Sequence, residues 1–424
     1  MILTIIFGIG GYSVFQAHAQ KSTVDWSPTF HNNPARTGYF TSTGPLTNQT
    51  LWVYPTGNSV EYTSPAVVNG VLFVASHDHY VYALNAETGS KIWSYETGHS
   101  VESSPSVANG VVYITSKDGN VYALNAANGN KIWSYKTGYE IYSCPAVVNG
   151  VVFVGSNDHN VYALNAQTGA KMWSYDTGNF VWSSPAVANG VVYITSYDSV
   201  IALKAETGEK IWSYIPGDSM YSSPAVLNSI LYFSSNDGSV YALNAETGNK
   251  IWSYKTNDAV SSSPSVANGV VYFGSNDHNI YALNSQTGEK IWSYTTGDSV
   301  LSSPAVTSDV IYIGSNDYNV YALNATTGSK IWSYETDQGV ESTPCVVNGV
   351  VYIGSMDNKV YAFGSITVPQ QTSTSPSPNP TLPPTPTVPE FPSWTVPLLL
   401  STMLVVAGLL VYHKKHKHNL VKKG

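Results

Sequence analysis

The sequence predicts an all-β chain: an eight-bladed β-propeller of four-stranded antiparallel blades, its last blade closed by an N-terminal strand, plus one C-terminal transmembrane helix. Three periodicities predict it. Trp recurs as Trp52, Trp93, Trp133, Trp173, Trp212, Trp252, Trp292 and Trp332, at gaps of 41, 40, 40, 39, 40, 40 and 40 residues. A proline after a small residue recurs as Pro65, Pro105, Pro145, Pro185, Pro224, Pro264, Pro304 and Pro344. The run V-Y-A-L-N stands at 81–85, 121–125, 161–165, 240–244 and 320–324, with I-Y-A-L-N at 280–284 and altered copies at 200–204 and 360–364. A unit that returns about every 40 residues marks a propeller or solenoid.

Taken in chain order, residues 2–15 are mostly apolar and Ala17-His18-Ala19 follows. An apolar run before an A-x-A site reads as a secretory signal cut after Ala19, so residues 1–19 are expected to be a signal peptide. No Lys or Arg precedes the run, and an uncleaved N-terminal anchor is the alternative. Residues 20–50 are expected to form a segment packed on the propeller, which itself spans 51–365.

Within the unit C-P-A-V-V-N-G-V-V-F-V-G-S-N-D-H-N-V-Y-A-L-N-A-Q-T-G-A-K-M-W-S-Y-D of residues 144–176, four β-rich runs alternate with turn signals. The signals are Asn-Gly, an Asp-containing turn and Thr-Gly. The strands are labelled A (P-A-V-V), B (V-V-F-V-G), C (V-Y-A-L-N) and D (K-M-W-S-Y). Runs A, B and C occur eight times, but run D follows C only seven times. The missing copy is Leu51-Trp52-Val53-Tyr54, ahead of the first A run. Pairing it with the last A-B-C set closes the ring and removes the open edges. The eight tryptophans are expected to pack between blades as structural residues.

Residues 366–393 are rich in Pro, Thr and Ser and are expected to form an extended stalk. Residues 394–412 supply a mainly apolar, uncharged stretch long enough to span a bilayer, with Trp394 and Tyr412 at its ends. The basic tail 413–424 follows, and basic flanks stay cytoplasmic. The expected placement is therefore a single-pass cell-membrane protein with its propeller outside.

Composition agrees with strands and turns: the 424 residues include 31 Tyr and 11 Trp, and only 11% are charged. Five of the 19 basic residues fall in the last eleven positions. Between residues 20 and 367 there are 14 Lys plus Arg and 26 Asp plus Glu, a balance of 14 − 26 = −12. An acidic body with a single arginine, Arg36, argues against nucleic-acid binding, which needs basic stripes. Cys144 and Cys345 match no metal spacing and no disulfide framework.

The run A-E-T-G-x-K-I-W-S-Y, with V-Y-A-L-N before it, resembles the pyrroloquinoline-quinone-type propeller repeat. That repeat occurs in quinoprotein dehydrogenases, in the bacterial outer-membrane assembly lipoprotein with its eight-bladed propeller, and in archaeal surface proteins. The resemblance covers about residues 25–365. The opening W-S-P-T-F-H-N-N-P-A-R-T-G-Y from Trp26 looks like the segment preceding the first blade in that family. Val388-Pro389-Glu390-Phe391-Pro392 resembles the C-terminal anchors of archaeal surface proteins.

Quinoprotein alcohol dehydrogenases of this family carry an adjacent cysteine pair, a calcium site and a catalytic Asp. Here Cys144 and Cys345 belong to blades 3 and 8, and no C-x-x-C-H haem site is present. No catalytic residue is assigned, no cofactor is expected, and the sequence does not support pyrroloquinoline quinone. The B–C-turn aspartates Asp78, Asp118, Asp158, Asp198, Asp237, Asp277, Asp317 and Asp357 recur in every blade, as turn caps do. His77, His79, His159 and His278 are taken as loop histidines and not as metal ligands.

Positions that differ between blades point to a binding face. They gather in the D–A and B–C loops, which emerge on one side of the ring. Three residues before each repeat proline stand Tyr62, Glu102, Tyr142, Trp182, Tyr221, Ser261, Leu301 and Glu341. Tyr142, Trp182 and Tyr221, on consecutive blades, should form an aromatic arc at the mouth of the central channel, with Phe180 and Met220 beside it. Glu102 and Glu341 add negative charge, and His77, Tyr80, His159, Tyr197 and Tyr318 come from the B–C side. This face is expected to bind an extracellular protein or glycan by aromatic stacking. The alternatives are an assembly factor of the BamB type, which docks partner proteins on the ring, and a quinone-dependent dehydrogenase. Asn48 and Asn324 match the N-glycosylation sequon.

Overall fold

The alternation of apolar runs and turn residues produces the same four strands in every repeat. In blade 1 these are A (Ala66–Val68), B (Val71–Ala75), C (Tyr80–Asn85) and D (Lys91–Glu96). Strands B and C are buried along nearly their whole length, because each blade lies between two others. Strand D faces outward: Lys91 and Ile92 are exposed and only Trp93 turns in. The Asn-Gly between A and B sets both residues at positive φ, 52° at Asn69 and 75° at Gly70. That is the turn a two-residue hairpin requires.

The protein is described by a computed structural model, which covers Ser27 and residues 29–364. These residues form eight four-stranded antiparallel sheets. The last sheet joins residues from both ends of the domain: Thr50–Pro55 pairs with Lys359–Gly364, placing Trp52 opposite Ala362. The eight-bladed architecture with N-terminal closure is therefore as predicted. Residues 1–26, 28 and 365–424 lie outside the described residues. With them lie the expected signal peptide, stalk, span and tail.

Neighbouring blades are joined by their tryptophans. Trp212 of blade 4 donates its indole N–H to the Ala245 carbonyl of blade 5 at 3.0 Å, and its ring lies against Gly248 in the C–D turn of that blade. Trp52, Trp93, Trp133, Trp173, Trp252 and Trp292 make the same hydrogen bond into the next blade. The Thr-Gly turn thereby gains its reason. A Cβ on Gly248 would fall 2.8 Å from the Trp212 ring, and its φ of +74° disfavours any side chain.

In the other blades the acceptor is the alanine or serine that follows strand C, but in blade 8, which reads Gly364-Ser365 there, the bond goes elsewhere. Here the Pro45 carbonyl accepts from both Trp332 (3.0 Å) and Tyr312 (2.9 Å). The N-terminal segment therefore closes the ring twice, once by a strand and once by this carbonyl.

The repeated Asp ties the D–A connection to the B–C turn. In blade 3, Asp158 accepts from Tyr162 Oη at 2.7 Å, from the Asn160 N–H at 3.0 Å and from the Gly138 N–H at 2.6 Å. Blade 4 departs from the pattern, because Ile201 replaces the tyrosine and the turn is one residue shorter. Burial works against the charges of Asp118, Asp158 and Asp277, yet these hydrogen bonds outweigh it and hold all three below the ordinary aspartate value of 3.8.

Two outcomes follow. Gly248→Ala is expected to destabilise the fold by roughly 2–4 kcal/mol through left-handed backbone strain and the clash with Trp212. Urea unfolding of the variant against wild type measures it, and an unchanged midpoint contradicts the contact. For the aspartates, a depressed folded pKa means stability that is complete above the unfolded value and lost as pH falls. The melting temperature is expected to drop as the pH is lowered below 3.8, and thermal scans across that range test the sign.

Candidate functional site

Seven of the eight D–A loops enter strand A through the same short step, seen in blade 2 as Val101-Glu102-Ser103-Ser104-Pro105. Val101 is fully buried in the blade interface. Ser103 turns back and donates to the Thr115 carbonyl at 2.8 Å. The residue before the proline joins a belt around the channel. The Ser104 hydroxyl accepts from the Ser64 N–H, Cys144 Sγ from Ser104, and the Ser184 hydroxyl from Cys144. Ser223, Ser263 and Ser303 continue the belt. Cys144 is thus a thiol in a hydroxyl's place. Both cysteines are buried, and neither forms a disulfide.

The belt would surround an open channel, but residues 29–40 cross it below. Strand A is the innermost strand of each blade, so its inner edge needs hydrogen-bond partners. Val187, Val226, Val266 and Val306 donate to the carbonyls of Pro34, Ala35, Thr37 and Gly38 at 2.7–2.9 Å. Ser27 bridges Val67 on blade 1.

At the centre of this plug Arg36 is fully buried. Its Nε donates to the Pro185 carbonyl, Nη1 to the Thr29 hydroxyl and Phe30 carbonyl, and Nη2 to the carbonyls of Cys144 and Pro145. Burial lowers its pKa to about 10, which leaves it protonated at neutral pH. His31 stacks on Phe30 at 4.1 Å, and burial pushes its imidazole down to about 3.

Above the plug is a cup of about 540 Å³. Phe30 and the belt residues Cys144, Ser184, Ser223, Ser263, Ser303 and Thr343 line it. So do all eight positions three before the prolines, from Tyr62 to Glu341. The structure thus brings together Tyr62, Glu102, Tyr142, Trp182, Tyr221 and Glu341.

Trp182 and Tyr221 stack at 4.7 Å, Tyr197 meets Trp182 edge-on at 5.7 Å, and Phe180 stacks on Trp182 at 5.7 Å. Phe180 is outside the cup wall and supports Trp182, and His159 packs edge-on against it at 5.2 Å. The expected place of Met220 is corrected. It occupies the position of Val101 and is 1% exposed in the core between blades, because it is the buried residue of its step and not the channel residue.

The acidic side is more extensive than counting back from the prolines suggests. Blade 1 reads Val60-Glu61-Tyr62-Thr63-Ser64-Pro65, one residue longer than the other steps. The extra residue lets Tyr62 join the wall, at a φ of +56°, while Glu61 turns to His77. His77 Nδ1 lies 3.1 Å from Glu61 and its Nε2 3.6 Å from Glu102. Lys117 Nζ is 3.0 Å from Glu102 and stands 5.0 Å over the Tyr142 ring. Asn316 donates to Glu341 Oε1 at 3.0 Å, while Oε2 is buried without a hydrogen-bond partner.

The signal for Glu61 was the 41-residue gap between Trp52 and Trp93, together with three Val-Glu pairs, at 60–61, 101–102 and 340–341. Phe30 as the floor had no such signal, since the opening segment does not repeat.

Of the remaining flagged residues, Tyr80 and Tyr318 do not line the cup. His79, His159 and His278 occupy left-handed turn positions, φ 69–78°, where blades 2 and 5 have glycine. Among the described residues no group of three or more His, Cys, Asp and Glu is placed to hold a metal. Asn48 is exposed and donates to the Ser333 carbonyl. Asn324 caps its own turn, accepting from the N–H groups of Thr326 and Thr327, as the asparagines ending strand C in other blades do.

A ring of eight four-stranded blades, closed by its N-terminus and plugged from one side, defines a propeller of the pyrroloquinoline-quinone repeat type. The chain belongs to the family described as outer membrane protein assembly factor BamB, which matches residues 36–143, 140–220 and 199–382. No curated protein matches its sequence. Among solved structures it is similar to BamB from Moraxella catarrhalis, at 20% identity and a TM-score of 0.65, over 75% of this chain and 99% of that one. It is also similar to the quinohemoprotein alcohol dehydrogenase from Comamonas testosteroni, at 17% identity and TM-score 0.69, over 80% of each chain. A europium-containing methanol dehydrogenase aligns at 15% identity and TM-score 0.68, over 80% of this chain and 98% of that one. At these identities the likeness is one of fold.

Arg36→Ala is expected to cost about 3 kcal/mol or more, since it strands several buried carbonyls and hollows the plug. Thermal unfolding of the variant checks this, and a wild-type melting temperature contradicts the structural role.

Proposed function

We propose that this protein is a non-enzymatic binding protein that captures a segment of a partner protein in the cup. The observation that carries this reading is the contrast within one chain. Belt, tryptophan and aspartate positions are nearly the same in all blades, whereas the cup wall differs from blade to blade. Repeats that share a fold need no such differences, and a ligand with its own shape does. Membership of an assembly-factor family supports a protein as the ligand. With the C-terminal segment 394–412 as a membrane span and the basic tail 413–424 cytoplasmic, the propeller would lie outside the cell.

The dehydrogenase neighbours raise the question of pyrroloquinoline quinone, a tricarboxylate. The residues present do not fit it. Glu102 and Glu341 line the cup, Lys117 is held by Glu102, and every N–H of Arg36 is taken by a carbonyl or hydroxyl. The quinone's carboxylates would meet like charges with no free cation. Nor does any cysteine adjoin Cys144, whose neighbours are Ser143 and Pro145.

An array of surface proteins and glycans probed with the full-length chain tests the reading. Binding to a protein that falls about thirtyfold or more in Trp182→Ala is expected, because loss of a central aromatic anchor costs about 2 kcal/mol or more. Glycan-only binding, or protein binding that survives the substitution, would overturn it.

A further inference from the structure

The wall of the cup is divided by chemistry. Blades 8, 1 and 2 bring the carboxylates Glu341, Glu61 and Glu102, while blades 3, 4 and 5 bring Tyr142, Trp182 and Tyr221. Three carboxylates face one ammonium, Lys117, and the partly buried His77 shared by Glu61 and Glu102. Arg36 pairs with no carboxylate. Glu341 is 8% exposed, lines the cup beside the Tyr62 hydroxyl and the Asn316 amide, faces no cation among the described residues, and has one buried oxygen that makes no hydrogen bond. A buried acceptor without a donor is costly, more so when charged. Glu61 is held above the usual carboxylate range by burial and, against the opposing pull of His77, by the charges of Glu341 and Glu102. A cation entering the cup relieves that repulsion.

Lys117 already shows the arrangement within the chain. Its ammonium lies between the Glu102 carboxylate and the face of Tyr142, joining an ion pair to a cation–π contact. The residue equivalent to Lys117 beside Glu341 is Met356, which brings no cation, and the ring of the next blade there is Tyr62. We propose that the cup takes a basic side chain, lysine or arginine, carried on an extended segment of the partner protein, with its cationic end at Glu341 and its stem against the aromatic arc. This rests on the protein-binding reading above and adds the chemistry of the captured residue.

The test titrates the full-length chain by calorimetry with acetyl-Gly-Gly-Lys-Gly-Gly-amide, its norleucine and glutamate counterparts, and free 1,5-diaminopentane. The lysine peptide is expected to bind about tenfold tighter than the norleucine peptide, to weaken as salt rises, and to lose most of that margin in Glu341→Gln. Trp182→Ala should weaken both the lysine and norleucine peptides, because it removes the shared apolar contact. Equal affinity for the lysine and norleucine peptides, or a preference for glutamate, overturns the cationic site and leaves protein binding standing. Diaminopentane binding tighter than the lysine peptide overturns the peptide as its source. If no probe binds while the array finds a protein partner dependent on Trp182, the cationic inference fails alone. If the array also fails, both readings fall. Circular dichroism melts of both variants confirm that they are folded.

Discussion

The contact on which the rest depends is the indole of strand D lying under the glycine of the next blade's C–D turn. It joins a large apolar area to one directed hydrogen bond, and it acts only between blades. A single blade would expose its tryptophan and leave its neighbour's carbonyl unsatisfied. The repeats therefore stabilise one another as nearest neighbours, and a ring that failed to close would lose such a contact at its gap. This is why the N-terminus must reach the last blade. Thr50–Pro55 supplies the missing strand, and Pro45 supplies the carbonyl that receives the Trp332 indole N–H.

Eight blades held in a ring leave a central channel whose walls are inner strand edges. Their backbone groups need partners that no repeat can provide, because the repeats are related by rotation about the empty axis. The non-repeating segment 29–40 fills the axis instead, and its one arginine turns five N–H groups onto carbonyls and a hydroxyl. A guanidinium suits this role, since its planar donors point in several directions from one centre. The plug converts a channel into a cup with a single mouth. The charge of Arg36 is spent on the fold and leaves the cup acidic.

Repetition also separates structural from individual residues. Asp158 looks like a candidate acid when read alone, but its counterparts make the same bonds in other blades. At the mouth the reverse holds. Glu341, Tyr62 and Trp182 occupy matching wall positions with unlike chemistry. The one-residue insertion that admits Tyr62 also frees Glu61 to bind His77.

The sequence by itself determined the number of blades, the order of the strands, the closure by Leu51–Tyr54 and the ring of wall residues before each proline. All of these follow from a period that recurs often enough to be counted. It did not determine which side of each step faces the channel, so Met220 was placed at the mouth while its buried position belongs to the blade core. Nor could it show that residues 29–40 close the channel, that Pro45 accepts the Trp332 indole N–H, or that three carboxylates converge across blades 8, 1 and 2. Those features join residues far apart in the chain and outside the repeat, and only closure of the ring brings them within hydrogen-bonding and Coulombic range.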